Sequence, residues 1–222
     1  MAKKRWWHRL RSFDPCDSDY AGTDFFISAG KRHFYTPKTE RTITNIVIHI
    51  TGGPAQDESG AVNTFLSRKK RTSAHYIINR EGKVIQMVRE DSVASHLRGG
   101  LRGDLNLRTI GIEHVNTYHK RNKRKRQKPT EVQYEASAKL VAYLCLKYDV
   151  PIVHSTNPGV KGIIGHSEMD LKTGHKNCVN PAWDWDAYIP QVKQSTGVMG
   201  MKLTYQQTKR NIYCFSKKAL IQ

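Results

Sequence analysis

The stretch Ile43-Thr44-Asn45-Ile46-Val47-Ile48-His49-Ile50 decides the fold. Ile43, Ile46, Val47, Ile48 and Ile50 form a β-branched run that Gly52-Gly53-Pro54 ends, the pattern of a buried strand. His49 breaks the pattern: an imidazole at the end of a buried strand is costly to keep there without a partner.

Working outward, Asp57 or Ser59 is placed to cap a short helix through Val62, Phe65 and Leu66. His75-Tyr76-Ile77-Ile78 and Lys83-Val84-Ile85-Gln86-Met87-Val88 flank Arg80-Glu81-Gly82, which predicts a hairpin with Gly82 at a positive-φ turn position. Thr109 to Val115 reads as a further strand. The charge run Lys120, Arg121, Lys123, Arg124, Lys125, Arg126 and Lys128 holds nothing to bury and is read as a solvated loop. Thr130 then caps an amphipathic helix on which Tyr134, Ala138, Val141, Cys145 and Tyr148 recur at spacings of four and three, with Leu140 and Leu144 widening the stripe; Asp149-Val150-Pro151 stops it. Ile163-Ile164 reads as a short strand leading into His166, and Trp183 to Val192 as a closing helix. Strands alternating with helices imply an α/β domain with its site at strand ends. The expected organisation is a basic and aromatic N-terminal extension over 1–40, a catalytic domain over 41–195 and a C-terminal extension over 196–222.

The 222 residues suffice for one substantial domain with extensions, and 38% hydrophobic residues can build its core while leaving a strongly polar surface. No apolar stretch approaches the roughly 18 residues a bilayer span needs. Met1-Ala2-Lys3-Lys4-Arg5-Trp6-Trp7-His8-Arg9 is basic but lacks a following apolar segment, so it does not read as a secretory signal. The net charge of +18 favours a polyanionic partner, and charge alone does not choose among nucleic acid, an acidic membrane surface and an anionic envelope. The cations and indoles of residues 3–11 suit an anionic envelope surface; no recognised nucleic-acid-binding motif is present, so no specific nucleic acid is expected. Cys16, Cys145, Cys178 and Cys214 include no close-spaced pair and are read as reduced thiols.

His166 and Cys178 lie in Gly165-His166-Ser167-Glu168 and Lys176-Asn177-Cys178, and His49 is a third candidate ligand. Two imidazoles and a thiolate suit zinc; a structural zinc usually takes four protein ligands, a catalytic one three with a position left for water. Any one of these histidines alone reads as a hydrogen-bonded structural residue. The three together point to a hydrolase that works through metal-activated water.

These segments, with Ser73-Ala74-His75-Tyr76, Arg80-Glu81-Gly82-Lys83-Val84, Ala94-Ser95-His96 and Thr109-Ile110-Gly111-Ile112-Glu113, occur in an order that resembles the zinc N-acetylmuramoyl-L-alanine amidases: phage lysozyme-type amidases, the bacterial anhydromuropeptide amidase and the peptidoglycan recognition proteins. The resemblance covers about residues 43–193. It implies a single mixed central β-sheet flanked by helices, one Zn2+ on His49, His166 and Cys178, and cleavage of the amide between N-acetylmuramic acid and L-alanine. Glu113 is implied as general base and Lys176 as oxyanion stabiliser. His96 and Thr51 are expected to contact substrate, and His75 to be structural. His114, His119, His154 and His175 have no motif support and are read as surface or loop residues, His175 remaining a competing ligand.

The sequence departs from the family pattern where Ile50 replaces a second histidine, where Ala74 replaces the tyrosine of many phage members, and where Cys178 is followed by Val179-Asn180-Pro181. The expected protein is a monomer made in the cytoplasm that acts on peptidoglycan or muropeptides, as a phage endolysin. The alternatives are a cytoplasmic muropeptide-recycling amidase and a non-catalytic peptidoglycan-binding module.

Overall fold

The computed structural model describes residues 18–53, 57–116, 127–172, 178–179 and 183–197, together with the backbone of 118–119 and 122–126. A six-stranded mixed sheet forms its centre: β1 (Phe25–Phe26), β5 (Val84–Gln86), β4 (Tyr76–Ile78), β7 (Thr109–His114), β3 (Asn45–Ile50) and β10 (Gly162–Gly165), in that spatial order. The β4–β5 pair is antiparallel and the other pairs are parallel. Gly82 makes the β4–β5 turn at φ 78°, and a Cβ there would lie 2.8 Å from the Val132 carbonyl oxygen, so both backbone and packing require glycine.

Alternation along the strands assigns each residue to one of two layers. Ile46, Ile48, Ile50, Ile110 and Ile112 face α3 (Glu131–Tyr148), whose Ala138, Leu140, Val141, Leu144 and Cys145 complete the main core. Tyr188 and Val192 of a closing helix over 185–197 join the same cluster. Thr130 caps α3 by accepting from the Gln133 N–H, and Asp149 ends it in the left-handed region at φ 51°. On the opposite face, α1 (Ser59–Leu66) brings Val62 and Phe65 onto Ile77 and Ile85. Val47 and Ile164 meet Leu97 and Met169 on that same face. There α2 (Asp104–Leu107) packs nearby, and α4 (His166–Met169) and residues 95–100 border a cavity.

One reading changes. The charge run is not a simple loop: β8 (Tyr118–His119) pairs antiparallel with β9 (Asn122–Arg126). The strong charge argued only against burial, whereas a ribbon closes its ladder through backbone groups that side-chain charge does not forbid. The segment over 18–40 wraps onto the domain. β1 adds to the central sheet, β2 (Phe34–Tyr35) pairs with β6 (Val93–Ala94), and Ile27 and Ala29 are core residues. Residues 1–17 and 198–222, including the basic and aromatic N-terminus, lie outside the described residues.

Candidate active site

The site sits at the carboxyl ends of β3, β7 and β10. His49 and Glu113 are register partners, so their side chains leave the sheet on the same face from adjacent strands. Gly165 pairs with Ile48, which brings His166, the first residue of α4, alongside His49. Glu168 shapes that turn: its carboxylate accepts from the Gly165 N–H at 2.8 Å and also meets His154 Nε2 at 3.0 Å. His154 in turn stacks on Trp185 with ring centroids 3.9 Å apart. His154 is therefore a half-buried brace behind the site rather than a surface residue.

Cys178 closes the group. Its carbonyl accepts from the Ser167 N–H at 2.6 Å, and its Sγ lies 3.4 Å from the Ile50 N–H, a donor suited to a thiolate. One donor atom each of His49, His166 and Cys178 falls within 4.8 Å of the others, and all three residues are buried. The Nδ1 atoms of His49 and His166 are 3.0 Å apart. Tetrahedral zinc with bonds near 2.0–2.3 Å requires donor separations of roughly 3.3–3.7 Å, so donors gathered within 4.8 Å of one another are of the right kind and close enough to hold a zinc ion after small side-chain adjustments. The soft thiolate with two imidazoles favours zinc over magnesium or calcium.

A cavity of about 850 Å³ opens over these donors, walled by Thr51, Thr72, Ser95, Arg98, Glu113 and Lys172 among others. Glu113 is half-buried, with Oε2 sealed from solvent and without a hydrogen-bond partner among the described residues. Burial pushes its carboxyl up to about 7. A carboxyl poised near neutrality at a cavity wall suits proton transfer. Ala74 lies fully buried in the core beneath α1 and offers no polar atom to the chemistry.

The two expected substrate contacts both line the cavity and are themselves held by hydrogen bonds within the protein. Thr51 lines the cavity, but its hydroxyl donates to the Asn116 carbonyl and accepts from the Asn116 N–H, both at 3.1 Å. His96 also lines the cavity, yet both ring nitrogens are engaged: Nδ1 lies 2.9 Å from His49 Nε2, and Nε2 lies 3.1 Å from Thr109 Oγ1. His75 is structural, accepting from the Gly111 N–H and donating to the Ser92 carbonyl. His114 corrects the sequence reading. It is fully buried between the His49 carbonyl and the Ser137 hydroxyl, and desolvation pushes its pKa down to about 4. Lys176 and His175 lie outside the described residues, as do the side chains of His119 and residues 120–126.

Two residues that sequence reasoning passed over hold the cavity wall. Arg41 is buried, and its guanidinium donates to the carbonyls of Leu107, Glu90, Ser92, Asn106 and Thr109. Asn106 accepts from the His96 and Leu97 N–H groups and donates to the Leu97 and Gly100 carbonyls. Together they bracket the segment that presents His96. A charged residue just before an apolar strand was the available signal for Arg41; Asn106 carried none.

The sequence profile described as N-acetylmuramoyl-L-alanine amidase matches residues 39–181. Among solved structures, the fold is similar to a selenomethionine derivative of AmpD, with TM-score 0.55 and 20% identity over 81% of this chain and 98% of that one. It is similar also to the catalytic domain of XlyA, with TM-score 0.54 and 17% identity over 75% and 98%. A third likeness is to the N-acetylmuramoyl-L-alanine amidase LysC from Clostridium intestinale URNW, with TM-score 0.51 and 16% identity over 76% and 97%. At these identities the structural likeness is one of fold. No curated protein sequence matches the chain.

Proposed function

Because the chain belongs to the N-acetylmuramoyl-L-alanine amidase family, we propose that it cleaves the bond between the lactyl group of N-acetylmuramic acid and L-alanine with zinc held by His49, His166 and Cys178. The observation that supports this reading most is the convergence of those three buried donors beside Glu113 on one cavity wall. Zinc in that position supplies Lewis acidity for the hydrolytic water and the scissile carbonyl.

The chain's own residues carry the rest. Glu113 accepts a proton from the attacking water and returns it to the leaving amine, a transfer suited to a carboxyl that burial brings near neutral pH. Lys176 is assigned to the developing oxyanion, two residues before Cys178. Thr51 and the cavity wall position the stem peptide. The biological role proposed is lysis of a bacterial wall as an endolysin, with the basic residues 3–11 adding affinity for the anionic envelope.

The test is digestion of purified peptidoglycan by the zinc-loaded and the chelator-treated protein, with products identified by mass spectrometry. Free stem peptides from the loaded protein alone support the reading. Cleaved glycan strands, or undiminished amidase activity in a protein shown to be metal-free, refute it.

A further inference from the structure

The hydrogen bonds behind His49 form a directed chain. Thr109 Oγ1 has one hydrogen, and it lies 2.7 Å from the Leu105 carbonyl oxygen, which can only accept. Toward His96 Nε2, 3.1 Å away, Thr109 must therefore be the acceptor, so Nε2 of His96 carries the hydrogen. In the neutral ring His96 Nδ1 is then a lone pair, and it faces His49 Nε2 at 2.9 Å. His49 Nε2 must donate, which leaves the lone pair of His49 on Nδ1, the atom turned toward His166.

Packing fixes the same rings. His96 lies against the Cα of Gly111, where a Cβ would come within 2.5 Å of the imidazole, and its backbone N–H is held by Asn106 Oδ1 at 3.1 Å. The His49 and His96 rings meet edge to face at 84°, with centroids 5.0 Å apart. Gly111 costs the strand its side chain, and the close seat for His96 accounts for it.

We propose that His96 and Thr109 are positioning residues that lock His49 as the Nε2–H tautomer and aim its Nδ1 lone pair into the donor set, with Gly111 providing the space. This rests on the zinc reading above, and it replaces a substrate contact as the role of His96. Partners of this kind commonly change metal affinity by about 10–100-fold when removed.

Nitrogen-15 NMR of the imidazoles in the metal-free, full-length protein at about pH 8, where imidazoles outside acidic surroundings are neutral, reads the tautomers directly. Protonated Nε2 on both His49 and His96 is expected; protonated Nδ1 on either overturns the proposal. Thr109→Val, which keeps the side-chain shape and removes the acceptor, should weaken zinc binding about 10–100-fold in competition with a chromophoric chelator, and Thr109→Ser should restore it. Parent-like affinity in a folded Thr109→Val protein overturns the proposal as well. Should the parent show the expected tautomers yet take up no zinc, the metal assignment falls while the tautomer chain stands, so the two failures are distinguishable.

Discussion

Arg41→Lys isolates how much the cavity wall depends on one buried cation. The guanidinium has five N–H donors, and each is used on a carbonyl oxygen at Glu90, Ser92, Asn106, Leu107 or Thr109. Lysine keeps the charge but brings three donors on a single nitrogen, so at least two carbonyls lose their partner. A buried acceptor left unsatisfied costs about 1–3 kcal/mol, which sets the expected loss at roughly 2–6 kcal/mol. Desolvation already pushes the Arg41 pKa down to about 10, so the pocket holds its cation at a cost even with five acceptors, and the more strongly hydrated ammonium gains nothing there. In a chain of this size each kcal/mol moves Tm by about 2–4 °C, so a loss near the middle of the range lowers Tm by roughly 8–16 °C. Urea and thermal unfolding followed by tryptophan fluorescence measure both quantities. An Arg41→Lys protein within about 1 kcal/mol of the parent would show that the five contacts are not the support claimed for them.

Three further outcomes are expected. Glu113→Gln should fold and bind zinc as the parent does but lose on the order of 10²–10⁴ in turnover on a soluble muropeptide; near-parental rates would remove Glu113 as the base. Cys145 is buried on α3 with its thiol pushed up to about 12, so about 10⁻⁴ of it is thiolate at pH 8. Peptide mapping after alkylation should find it unmodified until the chain unfolds, while Cys178 should be protected by zinc and exposed by chelation; rapid labelling of Cys145 in the folded protein would contradict its place in the core. Deleting residues 1–12 should reduce lysis of intact cells and spare hydrolysis of soluble muropeptides, and equal activity on both substrates would leave the basic terminus without its proposed role.

Much of the scaffold was legible because its signals are local. The apolar run into His49, the hairpin turning at Gly82 and the stripe of α3 each declare themselves within a few residues, through period and turn chemistry. The donor trio and Glu113 were singled out for another reason: an imidazole and a carboxylate set into apolar strands need partners, and together with His166 and Cys178 they stand in an order that resembles one family. The charge run was misread because composition reports on burial and not on backbone pairing.

What the sequence by itself determined, then, is the identity of the chemical groups and the strands that carry most of them. Only the tertiary structure decided which groups meet. His49 and His166 are 117 positions apart and come together because β3 and β10 pair in one register. The links from Thr109 through His96 to His49, the five carbonyls on Arg41 and the burial of His114 join segments well separated along the chain. A hydrogen bond is set by distance and direction in space, and neither leaves a period along the chain.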